Sequence, residues 1–146
     1  MRKIIILFAA LLVISCSSTK NTSTSQSTFS GKHELVDEQT FKLDEYSQDE
    51  SYGYTQKNPI KVGNFAEGPK NERRFLNALA GPNGEKISYY RIGSCCEFKT
   101  KNSPFGGGLL DKYSVTYEGA TQEIVLYINM YDADVLKVPV GFTLKK

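Results

Sequence analysis

The chain has 146 residues, a length that fits one domain. Hydrophobic residues make up 40% and charged residues 23%, a balance that excludes disordered and fibrous classes. A formal net charge of +2 is far from the strongly basic balance of a nucleic-acid binder, so no nucleic-acid partner is expected.

Arg2 and Lys3 precede an unbroken apolar run of 11 residues, Ile4 to Ile14. That run is too short to cross a bilayer as a helix, which takes about 20 residues. Residues 1–15 therefore read as a cleavable signal peptide. Val13-Ile14-Ser15-Cys16 resembles a bacterial lipobox, which implies that the Cys16 thiol takes a diacylglycerol and becomes the new N-terminus. Each buried lipid CH₂ contributes about 0.8 kcal/mol, so several chains such as palmitate anchor the protein to a membrane. Ser17 in place of Asp after the cysteine favours the outer membrane by the same resemblance. Cleavage removes Arg2 and Lys3 and leaves a chain with no net charge, so the +2 belongs to the signal segment.

Residues 16–31 read as the lipidated cysteine and a flexible tether. Ten of the 15 residues from Ser17 to Gly31 are Ser or Thr. Such a stretch buries too little apolar surface to offset its ordering entropy. As a random coil it reaches about 20 Å.

Residues 32–146 form the single folded domain, 115 residues long. Thr40–Leu43 alternates like a strand, and Ile60-Lys61-Val62 after Pro59 is a short one. A helix is predicted over about 71–80. Asn71 caps it, Glu72 suits its positive end, Gly81-Pro82 stops it, and Phe75, Leu76, Leu79 and Ala80 make its apolar face. After the Asn83-Gly84 turn, Lys86–Ile92 reads as a strand. Tyr113, Val115 and Tyr117 alternate on another, and Glu118-Gly119-Ala120 turns the chain. Glu123–Tyr131 is apolar on both faces and belongs in the middle of a covered sheet. Lys137–Val140 is a last strand, sent toward an edge by Pro139. The expectation is an α+β domain: a small antiparallel sheet of about four to six strands with one main helix.

The chemistry-bearing residues are few. Cys95 and Cys96 are adjacent, and with Cys16 lipidated they are the only thiols left. In an oxidising envelope they need an account. They fit two buried reduced cysteines, a vicinal disulfide stiffening a ligand-facing loop, or a thiol-redox site. The vicinal bond is strained, because adjacent Cα atoms lie about 3.8 Å apart and disulfides usually start near 4.4 Å. No metal and no cofactor are expected: His33 is the single histidine, at the edge of the domain, and there is no CxxC. Gly63–Lys70 misses the P-loop pattern because Pro69 stands where the lysine belongs. Lys70, Arg73 and Arg74 near the helix N-terminus are a candidate anion site. Gly106, Gly107 and Gly108 suggest a loop beside a pocket or a plain strand connection. Tyr52, Tyr54, Tyr89 and Tyr90 pack across strands or form a binding platform. Asp132-Ala133-Asp134 reads as a turn.

Residues 73–85 (Arg73 to Glu85), Gly93–Cys96, Leu110–Tyr113 and Leu126–Tyr131 together resemble a group of short Gram-negative lipoproteins without an assigned role. The resemblance covers most of residues 52–142. Some members of that group carry the label 2-dehydro-3-deoxyphosphooctonate aldolase, an activity associated with a (β/α)₈ barrel of about 250 residues. No motif of that enzyme is matched here, so no catalytic residue is carried over. The expected role is a non-enzymatic binding module for an envelope protein or glycan. Its candidate surface is the Cys95-Cys96 turn with the Gly106–Gly108 loop. The alternative is an enzyme, through thiol chemistry or that aldolase activity.

Overall fold

A computed structural model describes residues 31–146. Cys16, the expected signal peptide over residues 1–15 and all of the expected tether except Gly31 lie outside the described residues. The elements follow in chain order: β1 (Leu35–Asp37), β2 (Thr40–Phe41), β3 (Glu45–Tyr46), β4 (Ile60–Lys61), α1 (Gly68–Asn77), β5 (Leu79–Ala80), β6 (Ile87–Lys99), β7 (Gly107–Tyr117), β8 (Ile124–Asn129), β9 (Lys137–Val138) and β10 (Thr143–Leu144). The class is α+β. No helix among the described residues is long and apolar enough to cross a membrane.

The main sheet has four strands in the order β4-β8-β7-β6. The apolar alternation of β7 and β8 places Val115, Leu126 and Ile128 in the core with no exposure, and β8 lies inside the sheet as its two-sided character requires. The sheet is mixed, which corrects the antiparallel expectation: β4 runs parallel to β8, with Ile60 opposite Ile128. The chain between them is long enough for the crossover that a parallel pair needs. Three two-stranded ladders surround this sheet: antiparallel β1–β2 and β5–β10, and parallel β3–β9. β1–β2 is a local hairpin, whereas β5–β10 and β3–β9 close the domain by pairing segments far apart in the chain. The single sheet of four to six strands is therefore a four-stranded sheet plus three small ladders.

The helix is shifted from the predicted 71–80. Pro69 sits in its first turn, where its missing N–H would have no intrahelical partner anyway. Asn71 does not cap the helix. It is buried, its Nδ2 donates to the Gly63 carbonyl at 2.7 Å and its Oδ1 accepts from Arg74 at 2.9 Å. The helix ends at Asn77 because Leu79 and Ala80 leave to pair with β10. Phe75 and Leu76 are fully buried beneath the sheet core. Such a side chain contributes about 1.5–3 kcal/mol over an exposed one.

β6 and β7 form a long hairpin that runs past the end of β8, since β8 pairs only with Asp111–Val115 of β7. β6 carries two bulges. Arg91 faces Tyr113 and Gly93 faces Lys112, so Ile92 has no opposite residue; Cys95 faces Leu110 and Glu97 faces Leu109, so Cys96 has none. Each extra residue reverses which face the following side chains take. The first bulge brings Ser94 to the same side as Asp111, and the second restores the original alternation. Asp132 ties the far end of the hairpin down. It accepts from the Thr100 hydroxyl, from Asn102 Nδ2 at 2.8 Å and from Asn129 Nδ2 at 2.9 Å.

Candidate functional site

A groove of about 480 Å³ opens between the first half of α1 and the edge of the main sheet. Pro69 and Arg73 form its helix side; Tyr89, Arg91, Asp111 and Tyr113 form its sheet side, with Met130 at one end. A volume of a few hundred Å³ with convergent polar groups is what small-ligand sites usually offer.

The floor is a polar network. Arg91 donates to both oxygens of the Asp111 carboxylate, Nε to Oδ2 at 2.7 Å and Nη2 to Oδ1 at 2.8 Å. This bidentate fork is the strong form of an ion pair. Ser94 Oγ donates to Asp111 Oδ1 at 2.7 Å and accepts from Arg91 Nη2 at 2.5 Å. Below it, the Tyr113 hydroxyl donates to Glu72 Oε2 at 2.9 Å. Glu72 is fully buried, and its Oε1 accepts no N–H or O–H among the described residues.

Burial governs this carboxyl. It pushes Glu72 from its ordinary 4.5 up to about 7, and the neighbouring Asp111 charge adds to the rise. The Tyr113 hydrogen bond and the Arg91 charge oppose it less strongly. Below about 7 the folded protein therefore keeps a proton on Glu72. Tyr113 is driven well above the usual phenol range, first by burial and then by the Glu72 charge.

Asp111 is held in its ion pair with Arg91, and Glu72 has no exposed surface, so neither carboxyl is presented to a ligand as a free acid or base. What the groove offers a ligand is polar recognition. Arg73 is exposed at its rim and makes no ion pair or hydrogen bond among the described residues.

The residues singled out in the sequence are distributed as follows. Cys95 and Cys96 are bonded to each other in the second bulge of β6. The glycines lie on the same hairpin, with Gly108 opposite Phe98 and Gly107 opposite Lys99. They run along one ladder and serve packing. A Cβ on Gly108 would lie 2.5 Å from the Tyr131 ring, which stacks on Phe65 and meets Phe98 edge-on. Gly106, at φ 73°, makes the turn.

Lys70, Arg73 and Arg74 do not form one cluster at the helix start. Arg74 turns inward, donating to Glu67 Oε2 at 3.1 Å, to Asn71 Oδ1 at 2.9 Å and to the Glu38 carbonyl at 3.0 Å. Arg73 faces the groove, and Lys70 is half-buried in the first turn. Tyr52 and Tyr54 serve the fold: Tyr52 OH accepts from the Lys137 amide at 3.2 Å and Tyr54 OH donates to the Val140 carbonyl. His33 is half-buried, its ring edge-on to Phe41 at 5.0 Å. Among the described residues, no three His, Cys, Asp or Glu side chains converge to hold a metal.

Comparison with protein-family descriptions, curated proteins and solved structures finds no match to this chain. The described residues contain one α-helix and no repeated βα unit. They therefore lack the barrel with which the aldolase activity is associated.

Sequence reasoning missed Glu72 and Asp111 as site residues. Both carry a readable signal. Glu72 stands three and four positions before Phe75 and Leu76, on the apolar stripe of the helix. Asp111 has the same parity as Tyr113 and Val115, so it points to the buried face of β7.

Proposed function

We propose that this chain is a lipid-anchored protein of the bacterial cell envelope, held through Cys16 in the outer membrane, and that its domain is a binding module. The observation that carries the binding reading is the groove: an open cavity with a hydrogen-bonded polar floor and an uncommitted arginine at its rim. A pre-formed surface of this kind recognises a ligand without first ordering it. The single cation at the rim suits a negatively charged group, and the exposed edges of Arg91 and Ser94 suit hydroxyls or amides. Envelope glycans bearing carboxylates, and acidic segments of envelope proteins, both offer that combination. The anchor rests on the apolar run, the lipobox resemblance and the Ser/Thr tether.

Two experiments test this. Metabolic labelling with an alkyne palmitate should mark the protein, and Cys16→Ala should abolish the mark; an unlabelled wild type refutes the anchor. Crosslinking in intact cells, alongside sedimentation with purified peptidoglycan sacculi, should capture a protein or glycan partner. Arg73→Glu should reduce that capture at least about tenfold if one charge contact is lost and one repulsion gained. Absence of any partner, or indifference to Arg73→Glu, refutes the groove as the binding surface.

A further inference from the structure

Cys96 has φ 61°, and among the described residues it is the one non-glycine residue with positive φ. L residues enter this left-handed region at a cost. Cys96 is the bulged residue, with no opposite partner on β7. Its bond to Cys95 closes a small ring at the same place, across a Cα separation of 3.7 Å, less than disulfides usually span. Both cysteines are half-buried and keep some exposure to solvent. Backbone outliers of this kind cluster at functional sites. The neighbouring residue is Ser94, which bridges Arg91 and Asp111 on the groove floor.

We propose that Cys95–Cys96 is a site of thiol–disulfide exchange with a dithiol, and that its reduction releases Ser94 from the Arg91–Asp111 pair. One thiolate of the dithiol attacks one sulfur of the pair, forming a mixed disulfide. The other cysteine leaves as a thiolate and takes a proton. The second thiol of the reductant then displaces the protein from the mixed disulfide. Two electrons pass to the protein, which ends with two thiols, and the reductant ends as a disulfide. With the ring open, Cys96 moves to extended backbone and the bulge straightens. Ser94, two residues away on an edge strand, moves with it. The proposal stands whatever ligand the groove takes.

The test uses the full chain, purified in detergent without reductant. Graded dithiothreitol is added under native conditions, the reaction is quenched by alkylation, and labelled peptides are mapped. Cys95 and Cys96 should be protected at first and should become labelled together by about 1 mM dithiothreitol. Hydrogen exchange should then rise at least about tenfold at Ser94–Glu97 and Asp111, while β8 keeps its protection. The double variant Cys95→Ser, Cys96→Ser should reproduce the exchange pattern of the reduced protein. Labelling before any reductant, survival of the bond in native protein, unchanged exchange on reduction, or loss of protection throughout β8 would each overturn the proposal. A double variant with the exchange pattern of the oxidised protein would do the same.

Discussion

Replacing Glu72 by glutamine isolates the buried carboxyl. In the folded protein this group titrates near 7, against an ordinary 4.5. Between those values the folded state holds a proton that the unfolded chain has lost. The contribution of this group to stability therefore falls as pH rises from 4.5 to about 7 and levels off above, while His33, held below its ordinary 6.5 by burial, adds an opposing rise that wild type and variant share. Each pH unit in that window is worth about 1.4 kcal/mol, so the total is about 3 kcal/mol. The charged and titratable groups facing Glu72 are Asp111 and Tyr113 from β7 and Arg91 from β6. Glutamine matches the protonated acid in size and charge, and its oxygen can accept from Tyr113 as Glu72 Oε2 does. Urea unfolding from pH 4.5 to 8 should show wild type and Glu72→Gln agreeing within about 1 kcal/mol at the acid end. At pH 8 the variant should be about 3 kcal/mol more stable. Asp49, Glu85, Glu123 and Asp132 have lowered values, so their contributions are lost only as pH falls through a lower range. An unchanged slope in Glu72→Gln, or a loss of stability at pH 8, refutes the reasoning.

Arg74→Ala removes three hydrogen bonds at a buried guanidinium and should cost about 2–3 kcal/mol in chemical denaturation. Arg73→Ala, at an exposed neighbour, should stay within about 0.5 kcal/mol, and equal losses would contradict the assignment of the two side chains. Gly108→Ala drives a methyl into the Tyr131 ring and should cost about 1–3 kcal/mol, whereas a neutral result would mean the ring moves aside freely. Asp132→Ala strips partners from Thr100, Asn102 and Asn129; amide exchange at residues 100–106 should rise while β8 stays protected.

The long elements were readable only where their patterns are strong: β6 runs to Lys99 and β7 starts at Gly107, so the segments read as a Cys95-Cys96 turn and a Gly106–Gly108 loop lie largely on strands. β7 alternates over many residues, β8 is apolar on both faces, and Glu118-Gly119-Ala120 turns the chain between them. The short ladders were not readable. β5 and β10 are two residues each and lie more than 60 positions apart, so no local pattern marks them. Leu79 and Ala80 continue the apolar spacing of α1, and for that reason they were assigned to it. Only the competing partner Thr143–Leu144 explains their departure. The site was half legible. Arg73 and the Cys95–Cys96 pair stood out as residue types. Near a helix start Glu72 reads as a favourable charge, because a glutamate there usually faces water. Its place on the stripe of Phe75 and Leu76 was the stronger signal. Adjacency alone leaves open whether Cys95 and Cys96 are bonded, and in the structure they are.

The two bulges of β6 also set how its length can vary through inheritance. Loss of Ile92 would leave Arg91 opposite Tyr113 and Gly93 opposite Lys112, with every partner retained. Loss of any paired residue would slide the rest of the strand by one and invert its faces. A shortened relative is therefore most easily reached by deletion at position 92, a gap that spares both cysteines.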